Sequence, residues 1–319
     1  MIDPIARTDR SLIEGLRLVH RSTPTSASSV VSHFSLRRSL PVILMLGSLV
    51  LAMPQESADV ANEPKVGQSW VQAVPGTAIE LVMKPVPGPE GAPLWVMETE
   101  LSWNLFDIFI FRLDEKKGNS SPASDAVTRP TKPYIAVDRG FGHDGYPAIS
   151  MSLKGAIQFA EWLSAKTGRT YRVPTVEQWK RVCAAASIPQ EQLADYAWYQ
   201  ANSEETTHPI GSRKADALGL HDLYGNVGEW CIAGGTTEKP VGVLMGGGYE
   251  SPAGQLDCTH TVAYDRMWND SDPQFPKSIW WLADAAFVGL RLVCVEDEAG
   301  ETPEPSAKAE ATSKEHTHD

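Results

Sequence analysis

The chain has 319 residues and a formal charge of −12, with 42% hydrophobic and 21% charged residues. That leaves room for one large domain or two ordinary ones and excludes wholesale disorder. No stretch reaches the ~20 apolar residues of a membrane-crossing helix, which excludes a multi-span membrane protein. Residues 1–40 hold six Arg against Asp3, Asp9 and Glu14, a local +3 that leaves −15 on the remainder. A body of that sign repels phosphate backbones, so nucleic acid is excluded as a partner.

Residues 1–36 form a polar, basic N-terminal extension. Behind Arg37 and Arg38 follows the apolar run 40–53, LPVILMLGSLVLAM. Its length and basic flank predict a secretory segment over 37–57, either a signal peptide or an uncleaved membrane anchor. The protein is therefore expected to be exported, to the periplasm or the extracellular space, with a possible membrane tether. Residues 58–69 read as a polar spacer, and 70–297 as the folded domain. The tail 298–319 has no large apolar residue and is predicted to be disordered, because it cannot offset the entropy of ordering its chain.

Within the domain, 80–83 and 94–97 read as short strands around a Pro/Gly-rich turn, and 116–133 as a polar loop. A helix is predicted over 152–167, with Leu153, Ala156, Ile157, Ala160 and Leu163 on one face and Gly168 closing it. A second helix begins after Pro174, with Thr175 as N-cap and Gln178 three residues on, a capping-box pattern. Its apolar face is Trp179, Val182, Cys183 and Ala186. From 187 to 298 regular periodicity gives way to interleaved Gly, Asn, Asp and Trp, with short strands at 242–245 and 288–295. Such sequence packs through buried indoles and loop hydrogen bonds instead of long ladders.

Cys183, Cys231, Cys258 and Cys294 lack the close spacing of a zinc ribbon or finger. In an oxidising compartment they predict structural disulfides, and three pairings are open. No nucleophile elbow, Walker loop or dinucleotide fingerprint is present. His143 with Asp144, His221 with Asp222, and His260 supply the residue types of a two-His-one-carboxylate iron site, although nothing in their spacing joins them. Asp222 and Glu229 lie seven residues apart around a Gly-Asn turn. Carboxylates mixed with backbone carbonyls are the hard oxygen donors that calcium takes.

Five stretches, in order, resemble the formylglycine-generating enzyme or sulfatase-modifying factor family. They are YRVPTVEQW at 171–179, AWYQANS at 197–203 followed by HPIG at 208–211, ALGLHDLYGNVGEWC at 217–231, VLMGGGY at 243–249 and GLRLV at 289–293. The resemblance implies an α+β fold, an irregular C-type-lectin-like domain of short strands and a few helices. It implies structural calcium held by Asp222, Gly225, Val227 and Glu229, the two middle residues through their carbonyls. The family's second calcium site would match Asn202 and Ser203, without the acidic insertion that completes it. It also implies a Cys183–Cys294 disulfide, which leaves Cys231 and Cys258 as the remaining pair.

The resemblance breaks at the chemistry. The family's oxidases hold copper(I) on two cysteines closely following the Gly-Gly-Ser element, and Ser251 and Leu256 occupy those positions here. Gly248 replaces the family's Ser and Gly228 its Trp. Soft thiolates suit copper(I), whereas serine is a hard ligand and leucine none, so copper is not expected. The resulting expectation is an exported, catalytically diverged binding or scaffold module that recognises a protein or glycan ligand. Its alternatives are an oxidase or non-haem iron relative acting through Cys258 or a His-based metal, and a lectin-like carbohydrate binder.

Overall fold

The computed structural model describes residues 65–88, 93–115, 122–133 and 136–296. The N-terminal extension, the apolar run, most of the spacer and the tail lie outside the described residues. Among the described residues no helix is long and apolar enough to cross a membrane.

Two small sheets carry the domain. The first contains β1 (Trp70–Ala73), β2 (Glu80–Pro85), β3 (Leu94–Met97), β9 (Val293–Val295) and β4 (Thr170–Arg172) in that spatial order, all antiparallel. The second has the order β7 (Val262–Ala263), β6 (Pro240–Met245), β5 (Gly228–Gly235) and β8 (Val288–Gly289), with β8 parallel to β5. The segment predicted as one strand over 288–295 is thus two strands in different sheets. The residues between them, Leu290 to Leu292, cross from one sheet to the other.

Among the described residues five α-helices pack around the sheets: α1 (Trp103–Ile110), α2 (Pro122–Ala126), α3 (Leu153–Thr167), α4 (Val176–Ala186) and α5 (Leu193–Tyr196). In α3 the Ser152 side chain accepts from Gly155 N, and Gly168 closes the helix at φ 70°, a left-handed conformation that glycine adopts without steric cost. The α4 capping box forms in both directions, Gln178 N to Thr175 Oγ1 and Thr175 N to Gln178 Oε1. Of the expected face of α3, Ala156, Ala160 and Leu163 are buried and Leu153 and Ile157 only partly so, while Phe159 and Trp162 beside them are fully buried. The cause is α1, whose Phe106 and Phe109 meet Phe159 and Trp162 at ring centroids 5.6 Å apart. Each fully buried ring of this kind contributes about 1.5–3 kcal/mol.

Part of the expected polar loop 116–133 is structured. Arg129 is buried against Asp114, which also accepts from Lys166 and from Trp162 Nε1. Burial alone would raise the Asp114 carboxyl, but the bonds from Arg129 and Lys166 hold it down at about 2.

The disulfide pairing differs from the one the resemblance implied. Cys183 on α4 is bonded to Cys258, while Cys231 and Cys294 remain buried thiols outside the disulfide. Strand alternation explains the difference. On β9, Val293 points into the cluster that contains Cys183, so its neighbour Cys294 points into the other cluster. There it lies in register with Trp95 on β3 and Tyr171 on β4. Tyr224 Oη lies 2.9 Å from Cys183 Sγ and 3.4 Å from Cys258 Sγ, closing the bridge on one side.

Candidate functional site

The crossover between the sheets places Arg291 at the centre of a buried polar cluster. Its Nε donates to Glu229 Oε1 at 2.7 Å. Nη1 donates to Met97 O and Glu98 O at the end of β3, and Nη2 to His221 O and Asp222 O. All five donors of the guanidinium fork have therefore been directed at one loop, one strand and one strand end. Glu229 Oε2 accepts from Trp179 Nε1 at 2.7 Å, which ties α4 to the same point.

Two more acids complete the cluster. Asp222 Oδ2 accepts from Gly211 N, while its Oδ1 is buried with no hydrogen-bond partner. Glu100 is 1% exposed and accepts from Val227 N at 3.0 Å and Asn226 Nδ2 at 2.7 Å. Burial raises all three carboxyls, Glu100 well above the usual range because the Asp222 charge adds to it. Burial would lower the Arg291 guanidinium, but Glu229 and Glu100 outweigh it and the net shift is upward.

The turn inside this cluster is held through its backbone. Gly225 has φ 76°, and a Cβ there would collide with Trp198 O. Asn226 N donates to Trp198 O at 2.7 Å, Gly228 N to Phe287 O at 2.7 Å, and Tyr249 N to Asn226 O at 2.8 Å. The four expected calcium residues thus belong to one buried neighbourhood. The donor set fits a hard cation: Asp222 keeps an unengaged buried oxygen, and three acids face one guanidinium. Glu229 fits less freely, since each of its oxygens already accepts a hydrogen bond. Among the described residues no three His, Cys, Asp or Glu side chains are arranged as a metal cluster. A calcium site made of backbone carbonyls with one or two carboxylates is not of that kind.

Other expected site residues are separate. Asn202 is engaged by Tyr199 N and Ala197 O, and Ser203 Oγ donates to Tyr249 O, so both act as turn braces. His143 lies between Asp107 and Asp138, while His221 Nδ1 bonds Arg213 O. The structure does not bring these histidines together. Ser251 Oγ accepts from Gly248 N at 3.0 Å, and Leu256 is fully buried. Cys258, the thiol nearest the family's catalytic positions, is consumed by the disulfide. Cys231 is buried on β5, and burial pushes its thiol well above the ordinary value, which disfavours the nucleophilic thiolate.

Sequence reading missed Glu100 and the role of Arg291. Arg291 had a signal, a lone Arg inside the apolar run 288–295. Glu100 had none, because in sequence it is an acid two residues from another, Glu98, with nothing to mark it as the buried one.

A model of the sulfatase-modifying factor enzyme 1-like domain matches residues 72–274. The chain belongs to this family. Its irregular α+β, C-type-lectin-like architecture is therefore the family's. Among known proteins, it is 24% identical over 168 residues to the chaperone protein LppX of Paenibacillus barcinonensis, covering 44% of this chain and 58% of that one. It is 28% identical over 141 residues to the serine/threonine-protein kinase pkn1 of Chlamydia caviae, covering 37% of this chain and 22% of the kinase. The chain thus spans less than two thirds of either curated relative. Among solved structures, Treponema denticola variable protein 1 aligns with a TM-score of 0.49 at 18% identity, over 71% of this chain and 98% of that one. PvdO from Pseudomonas aeruginosa aligns with a TM-score of 0.48 at 16% identity, over 73% and 99%.

Proposed function

We propose that this member of the sulfatase-modifying factor family has left the oxidase chemistry and serves as a rigid, exported binding or scaffold module. The observation that carries the reading is the fate of the thiols. The two catalytic cysteine positions hold Ser251 and Leu256, and the neighbouring Cys258 is locked to Cys183. The remaining thiols, Cys231 and Cys294, are buried in different clusters. Copper(I) needs two soft ligands close together, and this arrangement offers no such pair.

The same reading includes one structural calcium held by Asp222, the carbonyls of Gly225 and Val227, and Glu229. A calcium ion there would neutralise buried acids and stiffen the junction between the sheets, without taking part in bond making or breaking. Export is supported by the disulfide, which persists in oxidising compartments, and by the apolar run behind Arg37 and Arg38.

The test is incubation of the full chain with copper(I), oxygen and a cysteine-containing peptide, followed by mass spectrometry of the peptide. Unchanged peptide thiol is expected. Turnover of the cysteine to an aldehyde, lost on mutation of Cys231 or Cys258, would establish the oxidase alternative.

A further inference from the structure

We infer that Glu100 is the positioning residue of the cation loop, a carboxylate outside the motif that fixes the central peptide between the two carbonyl donors before any ion arrives. The inference rests on the calcium reading above and adds to it a residue more than 120 positions away in sequence.

The argument is geometric. A trans peptide is planar, so its C=O points opposite to its N–H. Glu100 Oε1 accepts from Val227 N, which turns the Asn226 carbonyl to the opposite side, where Tyr249 N takes it. Asn226 N is fixed on Trp198 O and Gly228 N on Phe287 O, which sets the planes carrying the Gly225 and Val227 carbonyls in the same way. Of these three constraints, only the central one comes from a side chain. That side chain also grips Asn226 Nδ2, and Asn226 in turn receives His208 N on its Oδ1. Asn226 sits at φ 52°, a left-handed conformation that asparagine tolerates better than other side chains and that its three side-chain bonds hold in place.

The donor inventory points the same way. Glu229 is bonded to Arg291, whereas the buried Glu100 and Asp222 carboxyls accept only from backbone and amide N–H groups and hold no guanidinium of their own. Leaving a buried polar oxygen without a partner is costly, and within this cluster Asp222 Oδ1 is such an oxygen. Groups that orient ligands without touching the ion typically change metal affinity about 10–100-fold when altered.

The experiment titrates calcium into full-length protein by calorimetry after chelation, with terbium as a spectroscopic probe excited through Trp179, whose indole bonds Glu229. Two variants are compared. Glu100→Gln keeps the shape but loses charge and one acceptor; Glu100→Asp keeps the charge but loses the reach. Both are expected to bind calcium about 10–100-fold more weakly than wild type and to lose sensitised terbium emission at matched concentration, with unchanged circular dichroism in chelator. If Glu100→Gln fails to fold, Glu100→Asp decides by the same titration. Variants that bind as tightly as wild type overturn the role of Glu100 and leave the calcium reading standing. Wild-type protein that binds no calcium overturns the calcium reading, and the role of Glu100 with it.

Discussion

Replacing Arg291 with Met keeps an unbranched chain of similar length and removes every hydrogen-bond donor. Glu229 would then retain only Trp179, and the carbonyls of Met97, Glu98, His221 and Asp222 would lose their donor from this side chain. Stranding one partner of a buried ion pair costs about 3–5 kcal/mol. Each carbonyl left dry adds about 1–3 kcal/mol wherever water fails to reach it. A domain is stable by only about 5–15 kcal/mol, so the substitution removes a large share. For a domain of this size the ion-pair cost alone corresponds to a fall in Tm of about 6–20 °C. The assay is thermal and urea unfolding followed by tryptophan fluorescence, with the disulfide left oxidised. Arg291→Lys keeps the charge without the planar fork and should fall between Met and wild type. Adding Glu229→Gln to Arg291→Met should recover part of the loss, because the stranded charge is gone. Wild-type stability in Arg291→Met would refute the account of the junction.

Three further outcomes are expected. Cys183→Ser or Cys258→Ser should lower stability by about 4.5 kcal/mol, the chain entropy of a loop closed across 75 residues, and an unchanged denaturant midpoint would contradict it. His143 faces Asp107 and Asp138; burial would lower its pKa, but these carboxylates outweigh burial and raise it above 6.5. Its contribution is therefore complete below about pH 6.5 and is lost as pH rises through the folded-state value. Hydrogen exchange in residues 138–146 should quicken beyond the intrinsic pH effect on that rise, and His143→Gln should abolish the difference. Gly225→Ala places a Cβ against Trp198 O at positive φ, and should weaken calcium binding and expose the 225–228 amides to exchange; wild-type behaviour in both would count against the turn geometry.

The parts of the fold legible in the sequence are those set by local chemistry. Thr175 with Gln178 and Gly168 after Thr167 act through neighbours within four residues, and both form as read. The helix α1 was not legible, because WNLFDIFI buries six of its eight residues and shows no clean period. Once α1 is present it adds Phe159 and Trp162 to the buried face of α3, which keeps Ala156, Ala160 and Leu163 as expected. The break between Val288 and Val295 was hidden for a similar reason: an apolar run buried throughout reads the same whether it is one strand or two. Alternation along β9 decides the cysteines, since Val293 faces the cluster of Cys183 and its neighbour Cys294 faces the other. In the site, Asp222, Gly225, Val227 and Glu229 lie on one contiguous motif. Glu100 and Trp179 join only through tertiary contacts.

The most direct test of the central claim is metal and thiol stoichiometry on one sample of full-length protein purified without added metal. The account predicts calcium at about one per chain, no copper or iron, and two thiols that react only after denaturation. Copper or iron at about one per chain, with two thiols reacting in the native protein, would contradict it and restore the oxidase reading.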